Sequence, residues 1–139
     1  MRDFHLPGRS AVYATNGMCA TSHPLAATTA LDILKSGGNA VDAAIAGAVL
    51  LGICEPQMTG LGGDMFALIQ KDPSADVVAL NGSGRAPQAA NATALRAKGL
   101  STIPLHSAEA ITVPGAVDVF CRMAEDFGNL SLGDILAPA

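Results

Sequence analysis

One stretch near the middle of the chain limits what the sequence can fold into. Residues 43–54 carry no charge and are bracketed by Asp42 and Glu55. The run is shorter than the about 20 apolar residues that a membrane-spanning helix needs. Asn39 and Asp42 form a helix-start signal, so we predict a helix over residues 39–53 that is apolar on nearly every side. Such a helix must be covered by other layers of protein, as in a layered α/β fold.

The composition supports a packed core and argues against several functional classes. Half of the 139 residues are hydrophobic and 4% are aromatic, so the core must be built from aliphatic side chains and methionine. The formal net charge is −4 and no dense run of lysine and arginine occurs, which argues against nucleic acid as a partner. No apolar segment follows Arg2, so we expect no signal peptide, no membrane association and a cytoplasmic location.

The cysteines and histidines show no spacing that indicates a metal site. They are Cys19, Cys54, Cys121, His5, His23 and His106. Three cysteines without a Cys-x-x-Cys pair are typical of free, buried thiols in a reducing compartment. No two histidines are spaced as metal ligands, so we expect neither a metal nor a cofactor. Ser22 and His23 are neighbours whose side chains point apart, which argues against a catalytic pair.

Start and stop signals predict further helices on either side of this central one. Pro24 begins the first and Gly37 ends it, and another helix ends at Gly128. The expected apolar faces are Ala27, Ala30, Leu31 and Leu34 in the first helix and Val117, Phe120, Ala124 and Phe127 in the other.

Shorter elements are predicted between and after these helices. Strands are expected at residues 65–70, 77–80 and 110–113, and residues 11–21 should be extended with a turn at 16–17. Short helices should begin after Asn91 and after Ser131. Because the last one has barely begun at Ala139, we expect the chain to be the truncated first part of a longer protein.

A glycine cluster at Gly60, Gly62 and Gly63 invites comparison with a phosphate-binding loop. That loop needs a strand before it and a helix after it, with Lys-Ser or Lys-Thr at its end. Here the predicted helix comes before and the strand after, and no such pair follows. We interpret the cluster as a backbone turn where side chains must be absent, and not as a nucleotide site.

Arg85 is the candidate for binding an anion. It lies in a glycine-rich segment, residues 81–87, directly after a predicted apolar strand. A planar guanidinium group can pair with a carboxylate through two parallel hydrogen bonds. The alternative is an ordinary solvated charge, and the residues alone leave both interpretations open.

Three motifs resemble the opening of the gamma-glutamyltranspeptidase family. They are residues 17–26 (Gly-Met-Cys-Ala-Thr-Ser-His-Pro-Leu-Ala), 34–44 (Leu-Lys-Ser-Gly-Gly-Asn-Ala-Val-Asp-Ala-Ala) and 55–63 (Glu-Pro-Gln-Met-Thr-Gly-Leu-Gly-Gly). The family carries a Ser-x-His-Pro-like start, a Gly-Gly-Asn-Ala-Val-Asp-Ala-Ala block, and Glu-Pro followed by a Gly-x-Gly-Gly turn. Shorter matches at 113–115, 127–128, 130–132 and 136–139 extend the resemblance over nearly the whole chain.

The resemblance implies a fold, an activity and a partner. Residues 1–139 would be the N-terminal portion of the large-subunit region of an N-terminal-nucleophile hydrolase, a fragment of a four-layer αββα fold. The precursor of such an enzyme cleaves itself, and the new N-terminal threonine of its small subunit attacks a gamma-glutamyl amide such as glutathione. That threonine lies outside this chain, so we expect no catalytic residue here and, as partner, the remainder of the same precursor.

One segment departs from the family pattern. Transpeptidases carry Arg-Glu-x-Ala-Pro, whose arginine binds the substrate α-carboxylate; aligned on Ala-Pro at 86–87, this chain has Ser83, Gly84 and Arg85 in the first three places. Residues 81–87 look more like transpeptidase-like relatives that act as acylases or amidohydrolases. We expect Arg85 and Ser83 to bind substrate. The alternatives are an acylase or small-amide hydrolase of the same fold and a non-catalytic small-molecule binding module.

Overall fold

The computed structural model describes residues 11–139, which form an α/β structure. The predictions that concern Arg2 and His5 fall outside the described residues. The elements are α1 (Pro24–Lys35), α2 (Ala40–Cys54), β1 (Met65–Ile69), β2 (Val78–Gly82), α3 (Ala92–Ala97), a 3-10 turn (Ala108–Ala110), α4 (Ala116–Phe127) and α5 (Leu132–Leu136). No helix in this part of the chain is long and apolar enough to cross a membrane.

α1 begins and ends where its capping residues predict. The ring nitrogen Nδ1 of His23 accepts a hydrogen bond from the backbone N–H of Leu25 at 3.2 Å. At the other end Gly37 has a φ of 100°, and the N–H of Gly38 donates back to the carbonyl of Ile33 at 3.0 Å. This arrangement is a Schellman motif, which satisfies carbonyls that the last turn leaves free.

α2 is the central helix, and its start is tied to a distant part of the chain. Asn39 and Asp42 form a reciprocal capping box, in which Asp42 Oδ2 accepts from the N–H of Asn39 at 2.8 Å. The same oxygen accepts from the N–H of Asn129 at 3.1 Å, which fixes the turn between α4 and α5. The buried residues of α2 are Asp42, Ala43, Ile45, Ala46 and Gly47. Ala44 is exposed and Ile53 near the end of the helix is 65% exposed, so residues 11–139 cover only part of this apolar helix.

The two strands form an antiparallel hairpin with one face against α4. Met65 lies opposite Gly82, so β2 ends two residues later than the predicted 77–80. The inner face of the hairpin packs on α4, α4 and α5 pack on α2, and α1 covers α2. On the outer face, Phe66 and Leu68 are 65% and 79% exposed. The α/β class predicted from the sequence is confirmed.

The buried faces of α1 and α4 are offset from the predicted ones. Buried residues are Ala26, Ala30 and Ile33 in α1 and Ala116, Val119, Phe120 and Met123 in α4. Ala30 and Phe120 were predicted correctly, whereas Val117 is 48% exposed. Each of these helices has an apolar stripe that is wider than the surface it buries. The position of α2 determines which edge of each stripe is buried.

The predicted strand at 110–113 is wrong. Residues 111–113 follow the 3-10 turn and pair with no strand within residues 11–139. They make one backbone hydrogen bond to the segment after β2, from the N–H of Val113 to the carbonyl of Arg85 at 2.9 Å. Residues 11–21, expected to be extended with a turn at 16–17, have a bend at residues 15–16 and no helix or strand. Both segments have strand-like composition but no neighbouring strand within the described residues.

Candidate functional site

Arg85 and Ser83 lie in one concavity at the end of β2. The concavity has a volume of about 520 Å³, and its walls are residues 81–86 on one side and residues 113–115 with Asp118 on the other. Ser83 and Arg85 are both exposed. The structure therefore brings together the two side chains that the sequence singled out for substrate binding.

Glycines allow the two walls to approach so closely that a side chain at these positions would not fit. A Cβ at Gly115 would lie 2.3 Å from the carbonyl oxygen of Gly82. A Cβ at Gly84 would lie 2.3 Å from Thr112 Oγ1 and 2.4 Å from the carbonyl oxygen of Val113. These distances are shorter than van der Waals contact, so the backbones approach this closely because these positions are glycine.

Hydrogen bonds then fix the glycine-rich loop from both sides. Asp64, which follows the glycine cluster, accepts the N–H of Gly84 on its Oδ1 at 2.8 Å. From the other side, Val113 donates to the carbonyl of Arg85 at 2.9 Å. The carbonyl of Gly63 accepts a hydrogen bond from the N–H of Gly115 at 3.2 Å and another from the N–H of Ala116 at 3.1 Å. The loop that carries Arg85 is thus anchored at Gly84 and at Arg85 itself.

The glycine cluster is a backbone turn, but its glycines are not all required by contacts in this chain. A Cβ at Gly60 or Gly62 would meet no atom within 4 Å, and one at Gly63 would make an ordinary contact of 3.7 Å. The prediction that side chains must be absent from this turn is therefore wrong within residues 11–139, because a side chain at these positions would clash with none of them. The helix before it and the strand after it are as predicted, which keeps the argument against a nucleotide loop.

The positive charge of Arg85 is available for a ligand. The ion pairs within residues 11–139 are Lys35–Asp32, Lys98–Glu109 and Arg122–Asp118. Asp118 lines the same concavity, but its Oδ2 is 3.0 Å from Arg122 Nε one turn along α4. Within residues 11–139, Arg85 forms no ion pair, so its guanidinium group can pair with an anion that enters the concavity.

Other candidate groups are used structurally. Ser22 Oγ donates to Glu55 Oε2 at 2.7 Å, and His23 caps α1, so the two do not act as a pair. Cys19, Cys54 and Cys121 are free thiols. Within residues 11–139, no three potential metal ligands come together.

Comparison with known proteins then places the chain. A profile described as Gamma-glutamyltranspeptidase matches residues 26–139. The chain belongs to the gamma-glutamyltranspeptidase family. The resemblance to this family that the sequence suggested is thereby confirmed.

Individual relatives of this family agree with that placement. The chain is 44% identical to the glutathione hydrolase-like YwrD proenzyme of Bacillus subtilis over 92% of its own length and 24% of that protein. It superposes on a cephalosporin acylase from Bacillus halodurans with a TM-score of 0.87 and 47% identity, covering 98% of this chain and 25% of the other. For the gamma-glutamyltranspeptidase from Pseudomonas nitroreducens complexed with L-DON, the TM-score is 0.80 and the identity 31%, covering 91% and 38%.

These relatives bear on two expectations. The fold is that of the gamma-glutamyltranspeptidase family, as the resemblance implied, and this chain spans about a quarter of the length of the first two relatives. Identity to the glutathione hydrolase-like protein and to the acylase is 44% and 47%, against 31% to the transpeptidase.

One residue that contacts the loop of Arg85 was missed by sequence reasoning. Asp64 was not singled out in the sequence, yet its carboxylate accepts a hydrogen bond from the loop of Arg85, 20 positions away. The available signal was an acidic side chain placed directly between a glycine turn and a strand. Without the strand pairing, nothing in the sequence says that this side chain lies beside Gly84.

Proposed function

We propose that this chain is the N-terminal portion of the large-subunit region of an amide hydrolase or transferase. The complete enzyme would act on gamma-glutamyl or related acyl amides, with glutathione as one example of the class. The observation that supports this most is the family match together with Arg85 in the concavity beside β2, where it forms no ion pair with residues 11–139. The nucleophilic threonine would come from the remainder of the precursor, so this chain supplies substrate binding and no catalytic residue.

The chemistry of the concavity fits a carboxylate-bearing substrate. Arg85 offers a planar set of donors that can hold a carboxylate in a fixed orientation, and Ser83 adds a hydroxyl donor beside it. Holding one end of the substrate in this way brings the scissile amide to a defined position, which lowers the entropic cost of attack. No metal ion or cofactor is needed for that role.

Arg85 does not occupy the place of the family's arginine. It is two residues later, and in an extended chain such a shift moves a side chain by about 7 Å along the same face. Gly82 is the last residue of β2 and Gly84 is bonded to Asp64, so the loop keeps Arg85 in this displaced position. The pocket would then bind a carboxylate at a different point from a transpeptidase.

The second candidate function is that of an acylase or small-amide hydrolase. It is favoured by the 47% identity to a cephalosporin acylase and by the same displaced arginine. A non-catalytic binding module is the third. We also propose a cytoplasmic location, supported by the three free cysteines, and no nucleic-acid partner, supported by the acidic net charge.

A set of three anilides separates these functions in the complete, processed protein. Gamma-glutamyl-p-nitroanilide carries an α-carboxylate and an α-amino group, the glutaryl compound lacks the amino group, and the butyryl compound lacks both. Because a charge-assisted hydrogen bond contributes about 2–3 kcal/mol, Arg85→Ala should lower kcat/KM about 30- to 150-fold on the first two substrates. The butyryl compound should lose little, because it has no carboxylate for Arg85 to bind.

Two further variants make the comparison specific. Ser83→Ala should cost about 2- to 10-fold, the scale of one neutral hydrogen bond. Arg96→Ala removes an exposed arginine on α3 and serves as the matched control, with kcat/KM unchanged. Equal losses on all three anilides, or none, would leave Arg85 a solvated loop charge and refute its role.

A further inference from the structure

The loop that carries Arg85 is fixed by a side chain from another segment. Asp64 Oδ1 accepts the N–H of Gly84 at 2.8 Å, and the two residues are 20 positions apart. Asp64 precedes β1, whereas Gly84 follows β2, so this bond joins the start of one strand to the loop after the other. The hairpin register, with Met65 opposite Gly82, places these flanking residues side by side.

Residue 84 must be a glycine, so no side chain at this position can fix the loop. Any Cβ there would overlap Thr112 Oγ1 at 2.3 Å. The peptide unit is therefore held through its backbone groups, and its N–H is the donor to Asp64. Because Gly84 lies between Ser83 and Arg85, the orientation of its peptide planes sets the directions in which both side chains leave the loop.

The bond has the chemistry of an effective anchor. A carboxylate oxygen accepting from an amide is a charge-assisted hydrogen bond, which is stronger than one between neutral groups. In the structure, Asp64 is bonded to the amide of Gly84 and is not among the ion pairs of residues 11–139, so the guanidinium of Arg85 stays available. Because the loop is already ordered before the substrate arrives, binding does not include the entropic cost of ordering it.

We propose that Asp64 is a positioning residue for the substrate-binding loop. It holds the amide of Gly84 and so presents Arg85 and Ser83 to a substrate carboxylate. This inference rests on the proposed function of Arg85. It predicts that replacing Asp64 weakens substrate binding when Arg85 is present and has little effect when Arg85 has been replaced.

The test is a double-mutant cycle in the complete processed enzyme, with glutaryl-p-nitroanilide as substrate. Asp64→Ala should raise KM on the order of tenfold and leave kcat within about twofold, because the bond orients the loop and does not touch the reacting atoms. Asp64→Asn keeps an oxygen acceptor at the same position and should stay near the wild-type KM. In the Arg85→Ala background, Asp64→Ala should add less than about twofold.

Hydrogen–deuterium exchange of the segment 82–86 gives a readout of the anchor itself. Exchange should be faster in Asp64→Ala than in wild type and unchanged in Asp64→Asn. Asp76→Ala, which removes an exposed carboxylate between β1 and β2, is the matched control and should change neither exchange nor KM. If Asp64→Ala does not process, Asp64→Glu replaces it, since the longer side chain displaces the loop while keeping the charge.

The outcomes separate this inference from the proposed function. If Arg85→Ala weakens binding but Asp64→Ala does not, or if the two losses are additive, Asp64 is not a positioning residue while the role of Arg85 stands. If Asp64→Asn is as damaging as Asp64→Ala, the acceptor oxygen is not what matters and the inference fails. If Arg85→Ala has no effect, both proposals fall together.

Discussion

At the residue scale, Asp42 combines complete burial with full satisfaction of its carboxylate. It is 0% exposed, and its oxygens accept from the backbone N–H groups of Asn39 at 2.8 Å and of Asn129 at 3.1 and 3.2 Å. Burying a charge without partners would cost several kcal/mol, so these donors are what makes the position possible. Through them one side chain caps α2 and holds the turn between α4 and α5.

The loss of this carboxylate should be costly. Asp42→Ala removes the acceptor of the Asn39 and Asn129 amides together with the cap of α2, and should lower the free energy of unfolding by about 2–3 kcal/mol. Asp42→Asn keeps one acceptor oxygen and should cost less. Asp32→Ala is the matched control, because it removes an exposed aspartate whose pair with Lys35 contributes at most about 1 kcal/mol.

Urea unfolding of the complete protein with each variant measures these differences. A midpoint for Asp42→Ala equal to that of Asp32→Ala would show that the network around Asp42 does not stabilise the fold.

At the scale of single elements, the end of α1 depends on backbone conformation and not on packing. Gly37 has a φ of 100°, and a Cβ at this position would meet no atom within 4 Å. The surrounding space would therefore accept a side chain, but the left-handed conformation would not. The glycine is needed so that Gly38 can donate back to the helix and close it.

Gly37→Ala should therefore destabilise the protein by about 1–2 kcal/mol although nothing clashes, since an L-residue is strained at this φ. Lys35→Ala on the same turn removes an exposed charge and should change stability by less than about 0.5 kcal/mol. Thermal unfolding of both variants is the measurement. A melting temperature for Gly37→Ala equal to that of Lys35→Ala would contradict the assignment of a conformational cost.

The elements also show what the sequence could and could not predict. Helix ends were predictable because caps act within four residues, as at Asn39 and Gly37. The strand predicted at 110–113 failed because a β-like composition does not supply a neighbour to pair with. Arg85 and Ser83 could be named from a loop signature, whereas the contact of Asp64 with Gly84 could not, because it exists only once β1 and β2 pair.

At the scale of the whole molecule, the surface of this chain carries an apolar face that water does not favour. Phe66 and Leu68 project from the outer face of the hairpin, 65% and 79% exposed. The relatives are about four times longer than the part this chain matches. We expect the remainder of the precursor to cover this face and to bring the nucleophile to the concavity of Arg85.

The most direct test compares the 139-residue chain with the complete processed protein on gamma-glutamyl- and glutaryl-p-nitroanilide. The complete protein should hydrolyse at least one of them, and the chain alone should not exceed a buffer blank, because the proposed nucleophile is a threonine outside it. Turnover that follows the isolated chain through purification would place the nucleophile within it. A complete protein that hydrolyses neither anilide would contradict the assignment as an amide hydrolase of this substrate class.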